Sequence, residues 1–164
     1  MPAEFSISNE RDALTSFLDR QRDALVRKVR GVSDADARRA PTASSLSLLG
    51  LLKHSAVWEG RWFQGIVAGR PLPDGWPEHE SPLPDEDFLV GDGDTVEQWV
   101  ARYEEAAQTS RQIVAAMELG QSCARTDVID CNLRCVLLHL IEETARHAGH
   151  ADLIRETLDG SRGM

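Results

Sequence analysis

Leu140-Ile141-Glu142-Glu143-Thr144-Ala145-Arg146-His147-Ala148-Gly149-His150-Ala151-Asp152 lies near the C-terminus and carries three metal-ligand side chains within one helical pattern. At about 100° per residue, Glu143, His147 and His150 fall within roughly 60° of one another, on a stripe shared with Val136, Leu140 and Ile154. The stripe therefore faces inward. A carboxylate and imidazoles in an apolar interior need a partner, and a divalent cation held between helices of a bundle is one that chemistry supplies.

Three further segments carry the same periodicity. Asn9 caps a segment running to Arg30, with Leu14, Phe17, Leu18, Leu25 and Val29 as its apolar side and Gly31 as its stop. A short connection follows, with Ser33-Asp34-Ala35-Asp36 as a capped turn and Pro41 as a breaker. A strongly apolar helix is predicted from about Ser44 to Ala68. Another runs from Thr95 to Leu119, with Trp99, Tyr103, Ala106, Ile113 and Met117 inside, and the last from Asn132 to Leu158, before Gly160. No strand pattern competes. The expected fold is all-α, a four-helix bundle, formed by residues 1–164 as one domain with a core large enough to need no disulfides.

The stretch Pro71 to Asp94 breaks the regularity with five prolines, eight acidic residues and no Lys or Arg. It is a long crossover between the second and third helices, expected to wrap or cover the bundle and to be pinned by Trp76 and Phe88. Asp85-Glu86-Asp87 and Asp92-Gly93-Asp94 lack the spacing and final Glu of a calcium loop, so they read as solvated acidic positions.

Charge and composition exclude other classes. A formal charge of −9, a pI near 5.0 and only two lysines, Lys28 and Lys53, oppose binding to nucleic acid. No apolar run reaches the roughly eighteen residues of a membrane span, and Glu4, Asn9, Glu10 and Arg11 leave no room for a signal-peptide core, so a cytoplasmic location is expected. Cys123, Cys131 and Cys135 form no Cys-x-x-Cys pair. They read as thiols, with Cys131 and Cys135 as small core residues.

His54 supplies the histidine from another helix. It lies in Leu51-Leu52-Lys53-His54-Ser55-Ala56-Val57-Trp58, shares a face with Leu51, Trp58, Arg61 and Gly65, and occupies mid-helix, where a shared interior site belongs. His139, one turn before Glu143, reads as a packed histidine deeper in the bundle, and His79 as an exposed loop residue. Glu142, Arg146 and Arg155 point away from the ligand stripe. Arg61, beside His54, is in reach of the site mouth, where it would bind a substrate carboxylate.

These segments resemble the DinB-like superfamily of metal-binding four-helix bundles, and within it the mycothiol-dependent branch of mycothiol transferase and maleylpyruvate isomerase types. The resemblance covers nearly the whole chain and rests on the segment from Lys53 to Glu59, the long crossover, and the motif from Ile141 to Glu156. It implies a divalent metal held by His54, Glu143 and His147. The broader superfamily often has histidine at the Glu143 position and glutamine at that of His150, which would act as a fourth ligand or stand behind the first three.

Histidines plus one carboxylate leave a zinc-like ion with net positive charge and an open position, the pattern of a catalytic site. Nickel, iron and manganese tolerate the same donors. The resemblance implies mycothiol as the exogenous thiol, activated for transfer or isomerisation of an electrophile in a pocket whose mouth is formed by Arg61, Trp76 and Phe88. A metal- and ligand-binding stress protein without turnover, or a metal-dependent hydrolase, are the alternatives. The partners are thus small molecules, with neither nucleic acid nor membrane, and a homodimer is compatible with the sequence.

Overall fold

A computed structural model describes residues 9–71 and 88–162. Its elements are α1 (Glu10–Val29), the single turn α2 (Asp34–Ala37), α3 (Leu48–Gly60), a π-helical segment (Arg61–Val67), α4 (Val96–Ala115) and α5 (Leu133–Asp159). The four long elements make an all-α bundle in which α1 packs chiefly on α5 and α3 on α4, while α3 also meets α5. Trp76, His79 and the Asp85-Glu86-Asp87 run lie outside the described residues.

Side-chain caps set the helix starts. Asn9, Ser33, Ser47, Thr95 and Asn132 each accept a backbone N–H from the first turn of the helix that follows. The second long helix thus begins at Leu48 rather than near Ser44, because the hydroxyls upstream serve turns instead: Thr42 accepts from the Ser44 amide and Ser44 from that of Leu46. That helix does not run on in α form to Ala68 either. At Arg61 it widens into π geometry, and the Ala68 amide bonds to Phe63 O across five residues at 3.0 Å. Helix α4 stops at Ala115, short of Leu119. There Arg11 reaches from α1 and donates to Val114 O and Met117 O, at 2.6 Å each, satisfying carbonyls the helix end leaves open.

The buried side of α1 departs from its predicted stripe. Phe17 is 41% exposed, whereas Arg22 is buried and forms an ion pair with Glu59, a fully buried carboxylate on α3. Arg22 also binds Asp19 at 2.7 Å, and Asp19 in turn holds Arg111 of α4 at 2.9 Å. Three helices are thereby tied through one charged chain. Burial works against the Arg22 charge, and the Glu59 carboxylate outweighs it, so its pKa rises above the ordinary guanidinium value. One apolar cluster, built around Leu25, Leu51, Leu52, Trp99 and Ile154, fills one part of the bundle; a second, around Phe63, Val67, Ile113, Val136 and Leu137, fills another.

The end of the crossover is clamped to α3. Lys53 donates to Leu89 O at 2.8 Å and pairs with Asp94 at 3.1 Å, while Asp94 also accepts from the Trp99 indole and the Gly91 amide. Asp94 is therefore a structural anchor rather than a solvated position or a calcium ligand. Gly50 makes the close approach possible, since a Cβ there would stand 2.5 Å from Phe88 O.

Removing one partner of a buried pair leaves the other charged and unsatisfied. Glu59→Ala is therefore expected to destabilise the fold by about 3–5 kcal/mol in urea unfolding, far above the roughly 0–1 kcal/mol of an exposed pair. A loss in the latter range would contradict the structural role given to Arg22 and Glu59.

Candidate metal centre

α3 and α5 bring His54 and His147 together. Their rings lie edge to face, 4.8 Å between centroids with planes at 82°. Phe88, delivered by the clamped crossover, stacks flat on His54 at 4.0 Å and 10°, covering one face of that imidazole. The Gly50 approach and the Lys53–Asp94 pair thus fix a wall of the site.

Neither histidine is fully satisfied among the described residues. His54 Nδ1 and both ring nitrogens of His147 are buried and accept or donate no hydrogen bond. Glu143 sits one turn before His147, with its Oε2 3.6 Å from His147 Nε2, too long for a hydrogen bond. Its Oε1 instead accepts from Arg146 at 2.6 Å. Arg146, read from sequence as pointing away, therefore reaches back to hold the candidate ligand. Among the described residues no three His, Cys, Asp or Glu side chains converge as a ready-made cation cage.

Electrostatics keep the imidazoles neutral. Burial, then the neighbouring His147 and Arg61, pull the His54 pKa down to about 3. Burial also lowers that of His147, outweighing the opposite pull of Glu143, with His150 and Arg146 adding to the decrease. A neutral imidazole with a free nitrogen is the form that binds a metal. Two such rings with an adjacent carboxylate fit a divalent cation by donor type, and their buried, unpartnered nitrogens are what a bound ion would satisfy.

The pair opens onto a cavity of about 350 Å³, walled by His54, Ser55, Trp58, Trp62, His139, Leu140, Glu143, Thr144 and His147. Ser55 Oγ is buried there with no hydrogen-bond partner. His150 is not part of this wall. Its ring lies 6.2 Å from that of His147, and its Nδ1 is likewise buried and unpartnered. Arg61 is not among the described residues that line the cavity: it is buried, its guanidinium lies 4.6 Å from the Trp58 ring, and its charge contributes to the lowered His54 pKa. His139, expected deeper in the bundle, lines the cavity and packs against Trp62 at 4.6 Å. Trp62 and Ser55 were not singled out from sequence. Ser55 adjoins His54, but Trp62 lies within the π-helical segment, whose spacing an α-helical wheel does not describe.

A helical bundle with a histidine pair and a carboxylate where α3 meets α5 defines a DinB-like protein. The chain belongs to the mycothiol S-transferase family, whose model matches residues 13–160. A conserved protein from Enterococcus faecalis, known from a crystal structure, has the same fold: TM-score 0.64 at 14% identity, covering 93% of this chain and 99% of that one. Comparison with curated proteins finds no match. Among the described residues no helix is long and apolar enough to cross a membrane.

The lowered histidine pKa values have a stability consequence. The unfolded chain protonates histidine near 6.5, whereas folded, metal-free His54 resists protonation down to about 3. Between those values the unfolded state binds more protons, so this contribution is complete above about pH 6.5 and is lost as pH falls. Denaturant midpoints of chelator-treated protein are expected to drop from about pH 7 to about pH 5, and to drop less in His54→Leu. Equal drops in the two proteins would contradict the environment described for His54.

Proposed function

We propose that this chain is a divalent-metal-dependent mycothiol S-transferase, with His54, Glu143 and His147 as metal ligands. One observation carries the reading: two neutral imidazoles from different helices, three of their nitrogens buried without a partner, meet at the wall of a cavity, in a chain of the mycothiol S-transferase family. His150 belongs behind His147, where it supports that ligand without facing the cavity. Zinc suits the mixed nitrogen and oxygen donors best, and nickel, iron and manganese accept the same set. Mycothiol is the thiol cosubstrate, an electrophile its acceptor, and the cytoplasm the place of action.

When bound, the cation lowers the pKa of a coordinated thiol and presents it as a thiolate. The chain's own residues do the rest. Glu143, whose free oxygen lies 3.6 Å from His147 Nε2, would offset positive charge at the site that the neutral histidines cannot. Trp58 and Trp62 give the cavity apolar walls that receive the electrophile and exclude water. Ser55 Oγ, buried and unpartnered, is the hydrogen-bonding group that orients a ligand there. Phe88 covers one face of His54. A second reading, ligand binding without turnover, draws its support from the Glu143–Arg146 bond, which already occupies one oxygen of the carboxylate beside the histidine pair.

The metal-loaded protein is expected to conjugate an electrophile with mycothiol, and not with glutathione or without thiol. His147→Ala is expected to weaken metal binding by more than the about 10–100-fold that follows loss of a supporting residue. Full metal content in His147→Ala by elemental analysis would remove the ligand assignment. Metal and mycothiol binding with no product from a panel of electrophiles would establish the second reading instead.

A further inference from the structure

The three cysteines lie away from the cavity walls described above. The connection between α4 and α5 doubles back on itself, with a β-bridge between Ser122 and Asn132. In that antiparallel register Cys123 and Cys131 stand directly opposite, and the Cys123 amide donates to Cys131 O at 3.0 Å. The Cys131 amide donates to Ile129 O at 3.1 Å, so the pair shares a single backbone bond; opposed antiparallel residues have Cα atoms about 4.5–5.5 Å apart, inside the span a disulfide bridges. Their sulfurs are already in contact at 3.5 Å.

The backbone around the pair is fixed. Ala124 and Arg125 donate their amides to Val67 O and Ile66 O at the end of the π-helical segment, at 3.0 and 3.1 Å, and Leu133 donates to Gln121 O at 3.1 Å. Accessibility then assigns roles: Cys123 is buried, Cys131 half-buried and Cys135 exposed. Of the opposed pair, the half-buried Cys131 is the thiol open to a small disulfide, which makes it the first nucleophile, while burial, followed by the neighbouring thiols, pushes the Cys123 thiol up to about 12.

We propose that Cys131 and Cys123 form a second reactive site, a dithiol that exchanges with low-molecular-weight disulfides and closes to a Cys123–Cys131 disulfide. Deprotonated Cys131 attacks one sulfur of the small disulfide, whose S–S bond breaks; a mixed disulfide forms on Cys131 and one thiol leaves. Cys123 then gives up its proton and attacks Cys131 Sγ, releasing the second thiol. The two protein thiols are oxidised, the small disulfide is reduced to two thiols, and both protons end on the products. No metal takes part, so this site stands or falls independently of the transferase reading.

The test treats the reduced, chelator-treated full chain with 2-hydroxyethyl disulfide, alkylates remaining thiols after denaturation, and maps the peptides. The expected product loses two hydrogens per chain, links Cys123 to Cys131 and leaves Cys135 alkylated. Cys123→Ser should stop at a mixed disulfide on Cys131, and Cys135→Ser should give the same internal link as the parent. Alkylation of both Cys123 and Cys131, a Cys131–Cys135 link, or loss of the internal link in Cys135→Ser would each overturn the proposal.

Discussion

A polar atom taken out of water must find a partner, and this bundle meets that demand differently in two places. Arg22 and Glu59 satisfy each other within the interior, with Asp19 and Arg111 extending the chain of charges to the surface. His54 and His147 do not. His54 Nδ1 and both His147 nitrogens are buried without a hydrogen-bond partner, in rings that pack on each other and, for His54, on Phe88. The first arrangement is complete and holds helices together. The second is incomplete among the described residues, which is why the proposed function is built on the histidine pair rather than on the ion pair.

The outer parts of the structure serve that centre. Lys53 and Asp94 fasten the end of the crossover, Gly50 lets its backbone come close, and Phe88 arrives over His54 as a result. Arg61 sits behind Trp58, adding positive potential that discourages His54 from taking a proton. The π-helical segment carries Trp62 to the cavity opposite His139, and the Cys123–Cys131 strap closes the end of that segment.

Most of the fold was legible because its determinants are local. Asn9, Thr95 and Asn132 mark helix starts by their side chains, and the apolar periodicity of the long segments indicates an all-α bundle. The juxtaposition of His54 with the Glu143 and His147 stripe was legible too, since both lie on apolar faces of long helices. What escaped depends on geometry beyond one helix. Ser44 was lost to local hydroxyl turns, Arg11 shortened α4 from another element, and the π widening after Gly60 altered the angular positions of Arg61 and Trp62. Periodicity also could not distinguish Phe17 from Arg22, because the partner that admits Arg22 to the interior, Glu59, lies 37 residues away. The opposed cysteines were hidden for a similar reason: a seven-residue gap becomes a contact only when the chain reverses.

The central claim is that the histidine pair holds a metal to which a small thiol binds. Cobalt-substituted protein tests this directly, because thiolate coordination adds a sulfur-to-metal charge-transfer band to the visible and near-ultraviolet spectrum. The account predicts that band when mycothiol is added to saturation, and its absence in His54→Ala. Fully loaded protein whose spectrum is unchanged by saturating mycothiol would contradict it.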